Sequence, residues 1–148
     1  AKPVADIADA SQVPLPVDIS IFADDGLLWV DTWNDGTARL FDISDPHAPK
    51  EIYNKKIGAQ INMVSQSWDG ERVYFTSSLL ANWDKAESPD GADLQYFKAY
   101  DWDGDELTPT FTIDFTKEGL GAPHQMRFGA YALYGLTPPA AAQVSQTR

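Results

Sequence analysis

Short runs of alternating apolar and polar residues, punctuated by Asp-Gly and Asn-Asp-Gly turns, fill this chain from Val17 to Phe115. The clearest unit is Ser65–Asp84, where a polar strand runs into Trp68-Asp69-Gly70 and the β-branched and aromatic run Val73-Tyr74-Phe75-Thr76 comes straight back. Asp-Gly between two such runs signals a hairpin, because a tight turn twisted to match its strands needs positive φ. The same pattern predicts strands over Asp18–Phe22, Leu27–Thr32, Thr37–Ile43 and Lys50–Ile57, then over Met63–Ser67, Arg72–Ser78, Leu94–Tyr100 and Phe111–Phe115. Leu27–Thr32 is too apolar for a solvent-facing edge and reads as a central strand. The lysines of 50–57 suit an outer edge, where charge discourages edge-to-edge pairing. No stretch carries a helical stripe, so the chain reads as all-β.

The four-strand pattern is written twice. Asp25-Gly26 and Asp69-Gly70 stand about 44 residues apart, and Phe41-Asp42 matches Tyr100-Asp101 once the polar excursion Asn82–Asp93 is set aside as an insertion. Short antiparallel strands recurring at roughly 40 to 50 residues have the spacing of propeller blades. The organisation that follows is an extended strap over 1–16, rich in proline, one blade over 17–60, and a second over 61–128 with the long loop 82–93. A tail covers 129–148, where Leu133, Tyr134 and Leu136 suggest a short docked segment. Propellers close with about 4 to 8 blades, and two blades alone leave apolar faces uncovered. Further blades on another polypeptide, self-assembly into a ring, or a β-sandwich instead are the three ways out.

Composition narrows the function classes. With 148 residues, 43% of them hydrophobic, the chain suits one packed domain, and no apolar run approaches a membrane span. Its net charge of −11, with acids outnumbering bases two to one, supplies no basic stripe for phosphates. Nucleic acid is therefore not expected as a partner, nor is an anionic membrane. The absence of cysteine removes disulfides, thiolate nucleophiles and thiolate metal ligands together. There is no initiator Met, and Ala1-Lys2-Pro3 opens no secretory signal; the chain reads as cut from a longer precursor or as a cloned piece.

Three blocks carry a resemblance: Val17-Asp18-Ile19 through Leu40-Phe41-Asp42-Ile43-Ser44-Asp45-Pro46; Ser67 through Leu79 with Trp83-Asp84; and Ile113-Asp114-Phe115 through Pro123-His124-Gln125-Met126-Arg127-Phe128. In order and spacing they resemble the C-terminal part of the selenium-binding protein / methanethiol oxidase family. That resemblance implies a seven-bladed β-propeller about three times this length, of which this chain is the C-terminal third, as a fragment or a separate small subunit, supplying about two four-stranded blades with the rest coming from a larger chain. It also implies a copper-dependent oxidase converting a small thiol, methanethiol, with oxygen and water to formaldehyde, hydrogen sulfide and hydrogen peroxide. A periplasmic location is expected, with a cytoplasmic one as the alternative. The chain departs from the family in its longer, cysteine-free end after Gly129 and in the residues following Trp83-Asp84. A non-catalytic propeller segment, acting as a binding or scaffold module, is the alternative function.

The resemblance places His124 at the copper centre; by their position beside it, Gln125 and Arg127 are candidates to orient its ring. Taken alone, a single histidine in a turn is more often structural, yet imidazole suits copper, and ligating histidines lean on a supporting partner. One histidine cannot hold copper, so the other ligands are expected from the missing blades. Trp83 opens the long loop and is a candidate lining for a thiol pocket. Asp84 is a candidate support for a ligating histidine or a metal-bound water, with an ordinary loop carboxylate as the commoner alternative. His47, in Asp45-Pro46-His47-Ala48-Pro49, reads as a surface turn. Asp101–Glu106 looks like a calcium loop but lacks the glycine and glutamate spacing of an EF-hand, so it reads as a solvated turn. No catalytic residue is assigned.

Overall fold

Among the described residues, eight antiparallel strands realise the alternation: β1 Pro16–Phe22, β2 Leu27–Thr32, β3 Thr37–Asp42, β4 Lys50–Lys56, β5 Ile61–Gln66, β6 Arg72–Ser77, β7 Tyr96–Trp102 and β8 Leu107–Asp114. The computed structural model describes residues 14–22, 26–67, 69–80, 82–84 and 94–126. The strands form two four-stranded meanders, ordered β1-β2-β3-β4 and β5-β6-β7-β8. Apolar β2 is central and lysine-bearing β4 lies at an edge, as the pattern predicts. Two strands start earlier than the alternation suggests, because bulges at Val17 and Asn62 break the period-2 rhythm without ending the pairing. β8 likewise begins at Leu107, before Pro109; an edge strand tolerates a residue with no N–H to donate.

The two sheets share one core. Trp29, Ala38 and Leu40 of the first pack on Ile61, Val64, Val73, Phe75, Tyr96, Tyr100 and Leu107 of the second. Trp29 is 2% exposed and meets Tyr53, Phe75 and Trp102 edge-on at 6.1, 6.4 and 5.2 Å, a geometry that sets ring edges against ring faces. Polar contacts fix the seam around it. Lys98 donates to the Ile57 carbonyl (2.7 Å), Tyr96 to that of Ala59 (2.8 Å) and Lys55 to that of Leu107 (2.7 Å). Along the inner strands, the Val64 amide donates to Asp18 Oδ2 (3.1 Å) and Gln66 to Ser20 Oγ (3.0 Å). Gly36, at φ +62°, closes the turn into β3 so near the next crossover that a Cβ there would lie 1.9 Å from the Gly58 carbonyl oxygen.

The strand registers relate the sheets as copies. The two bulges align Ser20 with Ser65, Trp29 with Tyr74, Leu40 with Ala99 and Tyr53 with Phe111. This register is one residue longer than the spacing of the two Asp-Gly pairs, because glycine takes a different place in each turn. The Trp29 face of the first sheet therefore packs against the opposite face of the second, the one bearing Val73 and Phe75. A sandwich closed on itself would bury like against like. Here each sheet offers the same face onward, which is propeller geometry, and among the described residues two faces stay open. One carries Ile19 and Ile21, each 56% exposed, and Ile52; the other carries Phe111 and Ile113.

Asp31 of β2 is fully buried on this seam, accepting the Asp18 amide at 2.8 Å. Burial pushes its carboxyl up to about 8; the Asp18 amide counteracts this, and the neighbouring Asp18 carboxylate adds to it. The folded state thus binds a proton that the unfolded chain releases near pH 4, so this group's contribution is full below that pH and is lost as pH rises to about 8. Asp31→Asn keeps the acceptor and removes the titration. Melting at a series of pH values should show the variant gaining on the parent from pH 5 to pH 9, by a few kcal/mol at the top of the range; a constant difference would refute the assignment.

Candidate functional site

The inner strands begin, and β2 and β6 end, at one rim of the sheets, and the candidate residues gather there. After β8, a turn closed by Glu118 N–H to Asp114 C=O (3.0 Å) and Leu120 N–H to Phe115 C=O (2.9 Å) carries the chain back across this rim. It delivers a buried Pro123 and an exposed His124 to the ends of β5 and β6. The His124 carbonyl accepts from Thr76 Oγ1 (2.9 Å) and Asn62 Nδ2 (3.2 Å), and the Met126 carbonyl accepts from Ser65 Oγ (3.0 Å). The backbone of this segment is thus held at both ends before its side chains take any role.

The ring is held as well. His124 Nδ1 lies 3.0 Å from the Ser78 carbonyl, which can only accept, so Nδ1 carries the proton and donates. Asn62 Nδ2 lies 3.4 Å from the same nitrogen; it too is a donor and spends itself on the Ser78 carbonyl at 2.7 Å. The tautomer is therefore set, and Nε2 keeps its lone pair free. This is the arrangement of a ligating or proton-accepting histidine: one nitrogen anchored on a carbonyl, the other available.

Ser78 has φ +87°, a left-handed backbone uncommon for serine. Asp84 explains how it is kept there. Its carboxylate accepts from Ser78 Oγ (2.5 Å), the Leu79 amide (3.0 Å) and Gln95 Nε2 (3.3 Å). Asp84 thus supports His124 at one remove, through the strained carbonyl of Ser78, with its own oxygens already engaged. Trp83 beside it is 56% exposed. Gln125 is exposed, and Arg127 and most of the loop 82–93 lie outside the described residues. Asn62, Thr76 and Ser78 complete the site, and no sequence motif marked them. The only local signal was a polar Asn62 among apolar residues at the start of β5.

The other candidates separate from this rim. His47 is exposed in its turn, its amide donating to Asp45 Oδ1 at 2.9 Å. Asp103 Oδ1 accepts the amides of Asp105 and Glu106, both at 2.9 Å, which closes a turn and holds its carboxyl below the usual range. A cleft of about 250 Å³ lies between the sheets at the opposite rim, over Trp29 and Trp102, with Asp69 and Glu71 beside it. Among the described residues no three His, Cys, Asp or Glu side chains cluster as a metal site, and no helix is long and apolar enough to cross a membrane. Among the described residues, the imidazole oriented at this rim is that of His124.

Comparison with known proteins fits this geometry. The family model described as 56 kDa selenium-binding protein matches residues 2–131. A methanethiol oxidase of Ruegeria pomeroyi is 62% identical over 134 residues, covering 90% of this chain and 30% of that protein. One from a Hyphomicrobium species is 56% identical over 130 residues, covering 88% and 29%. Among solved structures, a hypothetical selenium-binding protein from Sulfolobus tokodaii aligns with a TM-score of 0.59 at 30% identity, over 69% of this chain and 26% of that one. The chain spans about three-tenths of the length of the curated relatives it matches. On the match over residues 2–131 and these identities, the chain belongs to the 56 kDa selenium-binding protein family, a family of β-propellers.

Proposed function

We propose that this chain is the histidine-bearing portion of a copper-dependent, methanethiol oxidase-like enzyme in the periplasm, working with a larger chain that carries the other blades of a seven-bladed propeller. The observation that carries this reading is the His124 ring, anchored through Nδ1 on the Ser78 carbonyl with Nε2 free at the rim. The names of its relatives supply the reaction class, oxidation of methanethiol; the full reaction we assign to it is methanethiol, oxygen and water to formaldehyde, hydrogen sulfide and hydrogen peroxide. Copper held by His124 Nε2 and by ligands of the partner chain would supply the redox chemistry between thiol and oxygen.

The chain's own residues prepare that site. His124 Nε2 is one nitrogen ligand of the kind copper favours, and the remaining ligands belong to the partner blades. Asn62, Thr76 and Ser78 fix where the ring stands; Asp84 fixes Ser78. Trp83, exposed next to Asp84, is the apolar surface this chain contributes toward a small thiol.

His124→Ala in the assembled protein should abolish stoichiometric copper while leaving the assembly's mass unchanged, measured by native mass spectrometry with copper quantified on the same sample. Retained copper in that variant, or a parent assembly without copper, would instead mark a non-catalytic propeller segment. Asn62→Ala removes both amide contacts and should weaken copper binding by about 10- to 100-fold, the usual cost of losing a supporting partner. ¹⁵N spectra of the neutral ring should show the Nδ1–H form in the parent and a tautomer mixture in Asn62→Ala; unchanged spectra would rule out a positioning role.

A further inference from the structure

The open face of the second sheet is the register equivalent of a face that the structure shows covered. Tyr74, Phe97, Ala99 and Phe111 hold the places that Trp29, Ala38, Leu40 and Tyr53 hold in the first sheet. There the face is buried under the second sheet; here Phe111 is 46% and Ile113 37% exposed. The aromatic rings on it are already ordered, with Tyr74 stacked on Phe97 and Phe97 tilted against Phe111, both at 5.7 Å. Ordered rings left half-exposed over one sheet face are the mark of a surface awaiting a partner.

The inner edge of that face is not open. Ser20 of β1 meets its neighbouring sheet through β5, by way of Gln66; its equivalent Ser65 meets the Met126 carbonyl. Thr76, which stands where Asp31 does, binds the His124 carbonyl. Residues 123–126 therefore lie on β5 as β5 lies on β1, in the place of the next inner strand. A second copy of this chain docking by its Ile19–Ile21 face would bring its own β1 to that same place and collide with them. The occupant must be a sheet that lacks its inner strand.

We propose that this face seats a composite blade, with His124–Met126 at its inner edge and three antiparallel strands supplied by the part of the propeller outside this chain. Those strands turn an aliphatic face toward Tyr74, Phe97 and Phe111, as the Val73–Phe75 face of the second sheet does toward Trp29. Their pairing to residues 124–126 also ties the His124 carbonyl and ring to the partner that completes the site. The inference rests on the reading that further propeller strands accompany this chain, and is independent of copper.

The chain has no cysteine, so Phe111→Cys and, separately, Ile113→Cys give single reporters. Each is placed in this chain alone and in the full-length Ruegeria protein with this chain's sequence in the matched stretch, where peptide mass identifies the reporter among any other cysteines. Thiol labelling is read by mass spectrometry, together with hydrogen exchange of the 124–126 amides. Both reporters should label readily in the chain alone and at least about tenfold more slowly in the full-length protein, with the 124–126 amides slowed by a similar factor as they gain a neighbouring strand. Slow labelling in the chain alone would overturn the proposal, assigning the face to a second copy if the mass doubles and to the chain's own later residues if it does not. Protected reporters with fast 124–126 amides would show a complete blade on the face, sinking the composite blade while the multi-blade reading survives. Fast labelling in both contexts would sink both.

Discussion

The seam between the two sheets is the contact on which the rest depends. Trp29 fills it, touching aromatic rings from its own sheet and the next, and the residues around it form the buried core. A four-stranded meander has two apolar faces and can cover neither by itself, so a sheet of this kind is stable only as a member of a stack. The seam shows how the stack is made: the onward face of one sheet meets the rearward face of the next, and the inner strands are pinned by side chains reaching across to a neighbouring backbone amide.

That arrangement also builds the site. Because β5 lies on β1 and residues 123–126 lie on β5, the backbone that repeats the stack is the backbone that carries His124. The histidine is not set on a free loop whose position must be fixed separately. It sits where two structural demands meet, the docking of the 123–126 backbone on β5 and β6 and the strained exit from β6 at Ser78. The Asp84 carboxylate holds that exit in its left-handed conformation. Strained backbone tends to collect at working sites, and Ser78 is the strained residue that anchors this ring.

The buried Asp31 belongs to the same economy. A carboxyl driven up to about 8 on the seam is a neutral hydrogen-bonding group under most conditions, accepting the Asp18 amide at the bulge that shifts the register of β1. It sits at the equivalent place to Thr76, which in the second sheet receives the His124 carbonyl. One structural position thus serves an internal bulge in one copy and the candidate site in the other.

Sequence alone determined most of the strands, the two-fold repeat and the central and edge placement of β2 and β4, while His124 stood out through the family resemblance. Period-2 alternation and Asp-Gly turns are local signals, and a histidine can be seen without knowing its neighbours. What escaped it was whatever depends on residues distant in the chain. The bulges at Val17 and Asn62 hid the true register, since a bulge breaks alternation just where alternation is being counted. Pro109 hid the start of β8, since only the sheet order shows that strand to be an edge. Nothing in the sequence links Asn62 or Ser78 to a histidine so far along the chain, or shows that Asp84 acts through Ser78 rather than directly. Only the stacking of one sheet on the next decided these, because it sets which side chains of β5 and β6 meet the returning backbone.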